Sequence, residues 1–189
     1  RCPAGSLGGD GFDAALPRLP LADVGCDAGV CDRECGAPVL GRLLHFGKAR
    51  GGIVLGIEAG KLVPFLQPDP ATGGLFGLAV DAPRGVLWAA ESWGAGLPGG
   101  TGDKRTGLLK VSLADGRILA RYPAPPGEAK QFGDVVVDPA GAVYASDGGT
   151  GAIWTLAPGM TRPEVVARPK GVTSAQGMVL CPLDVMVVS

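Results

Sequence analysis

Three carboxylates, Glu91, Asp134 and Asp147, are the acidic groups whose positions in the repeat make them candidates to bind a ligand. Two of them close matched segments. LFGLAVDAPRGVLWAAESW (75–93) overlays FGDVVVDPAGAVYASD (132–147). Each is an apolar run closing on Asp (Asp81, Asp138), a turn carrying Gly (Gly85, Gly141), and a second run ending in a small–small–acid step at Glu91 or Asp147. Other chemistries fit the chain poorly. A Ser-His-Asp triad would have to use His45, the single histidine, and there is no Gly-x-Ser-x-Gly elbow. The glycine-rich stretch GGTGDK (99–104) lacks phosphate-loop spacing and leads into a strand. Cys26-x4-Cys31-x3-Cys35, with Cys2 as a fourth donor, is a zinc-knuckle candidate. It lacks the tight pair spacing that zinc sites use, so no metal ligand is assigned.

The elements that must position these residues are short strands. GLLKVSL (107–113), a turn at Ala114-Asp115-Gly116, and ILARYP (118–123) follow the first segment, as GAIWTL (151–156), Ala157-Pro158-Gly159 and PEVVA (163–167) follow the second. GIVLGI (52–57) and KLVPFL (61–66) have the same form upstream, and QGMVLCPLDVMVVS (176–189) restarts it downstream. Runs rich in Val, Leu, Ile and aromatics, separated by Gly-containing turns, read as antiparallel strands, and no window carries a helical period. Four short strands recurring roughly every 45 residues make the blade of a β-propeller. The fold class expected is therefore all-β: an incomplete propeller of about three to four blades of a six-bladed type. Residues 39–189 form this partial propeller. Residues 1–38, holding four of the five cysteines, are expected to be a flexible or non-native leader. The last strand is cut short, so the chain reads as part of a longer array whose exposed blade edges could pair with another chain.

Composition narrows the partners. Leu, Ile, Val and Phe supply 49 of 189 residues, enough for a core, and most of the 33 glycines and 17 prolines punctuate apolar runs. A formal net charge of −1 offers no basic stripe for nucleic acid or an anionic membrane, and no apolar run is long enough to span a bilayer. The odd cysteine count leaves the compartment open, a secreted or periplasmic setting included.

Strand alternation then locates a site. The connection from second to third strand and the connection into the next blade share one end, and here that end carries the length: Gly94–Arg105 and Ala124–Gln131. Phe76, Gly133 and Gln176 occupy the channel rim at this end, Asp134 is next to Gly133, and Glu91 and Asp147 end second strands there. Phe76, Glu91, Asp134, Asp147 and Gln176 are the candidate ligand-binding residues, for a small-molecule ligand; no catalytic residue is assigned. Each has a plainer reading: an Asx-type turn for Asp147 in Ser-Asp-Gly-Gly, and solvated rim charges for Glu91 and Asp134. Asp81 and Asp138 read as turn formers, and Trp88, Tyr144 and Trp154 as packing between blades.

LFGLAVDAPRGVLWAAES, TGLLKVSLADGRILARYPAP, FGDVVVDPAGAVYASDGGTGAIWTL and SAQGMVLCPLDVMVVS together resemble the six-bladed propellers of the gluconolactonase/regucalcin (senescence marker protein) class over roughly residues 40–189. The resemblance implies a divalent cation such as calcium or zinc, held in the channel by a Glu, two Asn and an Asp, assisting hydrolysis of a sugar lactone. A hard cation on oxygen ligands would polarise the lactone carbonyl and lower the pKa of a bound water. Position by position, Gly133 and Gln176 stand where the Asn ligands would be, and the chain has no Asn at all. The alternatives are a non-catalytic propeller that binds a ligand or protein, or an inactive fragment.

Overall fold

The computed structural model describes residues 43–45, 55–58, 61–97, 102, 104–181 and 184–188. The described residues all lie within one unit, Ala37–Ser189. The leader expected at residues 1–38, and its zinc-knuckle alternative, lie outside the described residues.

Short β-branched and aromatic runs between turns become strands, and no α-helix occurs among the described residues. β1 (Leu43–His45), β2 (Leu55–Glu58) and β3 (Lys61–Pro64) form a three-stranded antiparallel sheet. β4 (Gly74–Asp81), β5 (Val86–Trp93), β6 (Arg105–Ser112) and β7 (Ile118–Pro123) form a four-stranded meander. β8 (Phe132–Val137), β9 (Val143–Asp147), β10 (Ile153–Leu156) and β11 (Glu164–Ala167) repeat it, and β12 (Gly177–Cys181) with β13 (Asp184–Val188) forms a two-stranded sheet. The first strands β4, β8 and β12 lie side by side, while β7 and β11 stand at the far edges of their sheets. This is the fan of a partial β-propeller.

The period of two explains how the sheets stack. Val86, Trp88 and Ala90 point to one face of β5, where they join Leu108, Phe132, Val135, Val143 and Trp154 in a core between the two four-stranded sheets. Leu87 and Ala89 point the other way, joining Leu109, Val111, Leu113, Phe65 and Leu66. With both faces covered, all eight residues of β5 are buried, so this strand reads in sequence as a continuous run rather than an alternating one. Trp88 and Trp154 lie in the first core, and Tyr144 packs against a third, of Val136, Ile153, Ala175 and Met178.

β4 and β8 carry a bulge at the same place, between Leu75 and Leu78 and between Phe132 and Val135. The bulges seat Phe76–Gly77 and Gly133–Asp134 where neighbouring sheets approach each other. Gly77 has to be glycine, since a Cβ there would lie 2.5 Å from both Cα and Oδ1 of Asp134. At the opposite end the turns are tight. Ala82–Arg84 is one 3₁₀ turn capped by Gly85 at φ 64°. Arg84 pairs with the buried Asp81 and donates through Nη2 to Pro139 O at 3.0 Å, tying one sheet's turn to the next.

Two expectations need correction here. Arg105 belongs to β6, paired with Trp93, so the insertion is 94–104. More importantly, the connection into β4 does not stay at the loop end as 124–131 does. Gln67 N donates to Gly116 O at the turn end, whereas Trp93 Nε1 donates to Ala71 O at the loop end. Segment 65–73 therefore crosses the face of the β4–β7 sheet that is turned away from β8–β11. Phe65 and Leu66, which cover apolar side chains of that face, fix this path.

Candidate functional site

Asp147 ends β9 and is fully buried. Its Oδ1 accepts from Gln131 N (3.1 Å) and Gly149 N (2.9 Å), and its Oδ2 from Lys130 N (3.1 Å) and Thr150 Oγ1 (2.8 Å). The bond to Gly149 is the local turn the sequence suggests. Those to Lys130 and Gln131 reach back to the connection that enters the same sheet. All four acceptor sites of the carboxylate are occupied.

Glu91 holds the matched position and does the matched work: its Oε1 accepts from Gly73 N at 2.9 Å, two residues before Leu75, just as Lys130 is two before Phe132. Its plainer reading as a solvated rim charge is wrong, because the side chain is 1% exposed. The glutamate's extra methylene lets it lie down on the sheet face beneath the crossing segment 69–73. There Arg121 Nε stands 3.4 Å from Glu91 Oε2, and Arg121 Nη2 donates to Asp69 Oδ2 (2.9 Å) and Thr72 Oγ1 (3.0 Å). Glu91 Oε2 and Arg121 Nε are buried without a hydrogen-bond partner. Burial pushes the Glu91 carboxyl above its ordinary range, against the opposing Gly73 N–H and Arg121 charge. The Ala71 N–H and then Arg121 hold Asp69 below its ordinary value.

Asp134 spans sheets. Its Oδ1 accepts from Val135 N (2.9 Å) and its Oδ2 from Met178 N in β12 (2.8 Å), while its own N–H donates to the buried Ser146 Oγ (3.0 Å). Half-buried, it too departs from a solvated rim charge. Phe76 is half-buried and packs against the core between the two four-stranded sheets. Gln176 is exposed, donates to Ser174 Oγ at 2.7 Å, and lies over Gly148, where a Cβ would meet its Nε2 at 2.7 Å. Phe76, Asp134, Asp147 and Gln176 thus gather around the first strands, with Asp134 against Gly77 and Ala175 N on Asp147 O. Glu91 stands apart, on the far face of its own sheet. Among the described residues no three His, Cys, Asp or Glu side chains come together in a metal-holding group.

The residues that sequence reasoning missed lie around Glu91. A cavity of about 220 Å³ is lined by Ala71, Trp93, Arg105, Arg121 and Pro123, with Glu91 in its wall. The Arg105 guanidinium sits 4.7 Å from the centroid of the Trp93 ring. Trp93 and Arg105 flank the insertion, and extending the strand pairing past Glu91 to the end of β5 would have brought them opposite each other. Thr106, next along, is buried and joins the two four-stranded sheets: it donates to Glu91 O (2.9 Å) and accepts from Phe132 N (2.9 Å).

No family model matches the chain, and no curated protein matches it. Among solved structures it is similar to a chain in the crystal structure of the nidogen/laminin complex, with a TM-score of 0.51 and 18% identity over 75% of this chain and 49% of that one. The chain thus spans about half the length of that neighbour. At this identity the likeness concerns the fold alone, and that fold is the β-propeller.

Proposed function

We propose that this chain is a non-catalytic β-propeller binding module that engages a partner protein at the loop end of its strands. The observation that carries this reading is how the loop-end carboxylates are used. Asp147 and Asp134 spend their oxygens on backbone N–H groups and a threonine hydroxyl, and Glu91 spends one on Gly73 and sets the other against Arg121. Bonds of this kind hold connections in place: Asp147 has all four acceptor sites filled, Asp134 is tied by one backbone N–H on each oxygen, and Glu91 Oε2 is buried against Arg121, away from a ligand at the rim. The longer connections, 94–104, 124–131 and 168–176, join strands at the same end, where rigid scaffolds present binding loops. The occurrence of a similar fold in the nidogen/laminin complex is in keeping with a protein partner.

The sugar-lactone reading rests on the family resemblance, and its ligand positions carry Gly133 and Gln176. The deciding assay is hydrolysis of δ-gluconolactone by this chain with added calcium or zinc, and again with chelator. The binding-module reading expects the rate of the protein-free blank in both cases. Metal-dependent turnover that chelator abolishes would overturn it.

A further inference from the structure

Resting on that loop-end reading, we propose that the Trp93–Arg105 cavity is an anchor pocket that receives a carboxylate side chain from an acidic peptide of the partner. Arg105 is exposed, yet its guanidinium is held over the Trp93 ring, and Trp93 is itself fixed by Ala71 O. Stacking immobilises the plane of a guanidinium while leaving its N–H edge free, the geometry that takes a carboxylate in two parallel hydrogen bonds. Pre-ordering lowers the entropy cost of capture.

The charge around the pocket favours the same ligand. Arg121 is shared between the buried Glu91 and the neighbouring Asp69, and Arg105 with the adjacent exposed Lys104 brings the balance of these five groups to one net positive charge at the mouth. Among the described residues neither Arg105 nor Lys104 takes part in an ion pair, whereas Arg84 and Arg117 at the turn end each have an Asp partner. The volume suits one side chain, and Pro123 supplies apolar wall for its methylenes.

The test is fluorescence anisotropy of a fluorescein-labelled octaglutamate peptide titrated with the chain at low salt. Arg105→Gln is expected to weaken binding at least tenfold. Arg105→Lys, which keeps the charge but loses the planar fork, is expected to weaken it at least fivefold. Arg117→Gln, at the turn end, should stay within twofold, with all three variants melting like the parent. Equal binding by Arg105→Lys and the parent would overturn the pocket in favour of bulk charge. Absence of any octaglutamate binding would overturn it too, as would tighter binding of a DNA duplex of equal charge. These readouts are independent of lactone turnover, so the pocket and the binding-module reading can fail separately.

Discussion

Glu91 and Asp147 show how one repeat position serves two ends through side-chain length. Aspartate reaches only the nearby loop and connection, and its hydrogen bonds close around it. Glutamate extends onto the sheet face and meets Arg121. The opposite shifts of Glu91 and Asp69 give a sign that can be checked. Glu91, raised by burial, contributes a stabilising term that appears as pH falls through its folded pKa. Asp69, lowered by Ala71 N–H and Arg121, contributes one present above its unfolded value and lost as pH falls through its folded value. Carboxyl ¹³C titration should find Glu91 protonating above the ordinary glutamate range while Asp69 stays ionised below the aspartate range; coincident titrations would contradict the assignment. Asp134→Ala should cost about 2 kcal/mol in urea denaturation, because it strips the acceptor from two backbone donors, Val135 N and Met178 N. The aspartate pattern was legible in sequence as a turn signal. The burial of Glu91 was not, since nothing in the local pattern says that residues 69–73 will fold over it.

At the scale of elements, the strands were readable because their apolar runs and Gly-bearing turns repeat in register, from Asp81 to Asp138 and from Gly85 to Gly141. The connections were not. Ala124–Gln131 and the segment before β4 look alike as Pro-containing linkers, yet the second is drawn across a sheet by Phe65 and Leu66, a tertiary effect that local composition does not encode. Sheet-to-sheet approach gives the sharpest element-level prediction. Gly77→Ala puts a methyl where Asp134 sits, so β4 and β8 must separate or Asp134 must give up its bonds. A loss of about 2–3 kcal/mol is expected, measured by urea denaturation, whereas Gly96→Ala, with open space around it in an exposed loop, should cost at most about 1 kcal/mol through its positive φ.

Among the described residues, the sheets are coupled by shared cores and by a few polar bridges: Thr106 and Asp134 toward the loop end, Arg84 at the turn end. The carboxylates at the loop end belong to this framework, on which the proposed binding loops would stand. Urea denaturation of Asp147→Asn tests that claim most directly. The amide retains one acceptor oxygen and places N–H donors against backbone N–H groups, so the account predicts a midpoint lowered by about 2–4 kcal/mol of stability, with lactone turnover at the blank in parent and variant alike. An unchanged midpoint, together with a metal-dependent lactonase activity that this one substitution abolishes, would show the carboxylate to be chemical rather than structural and would contradict the account.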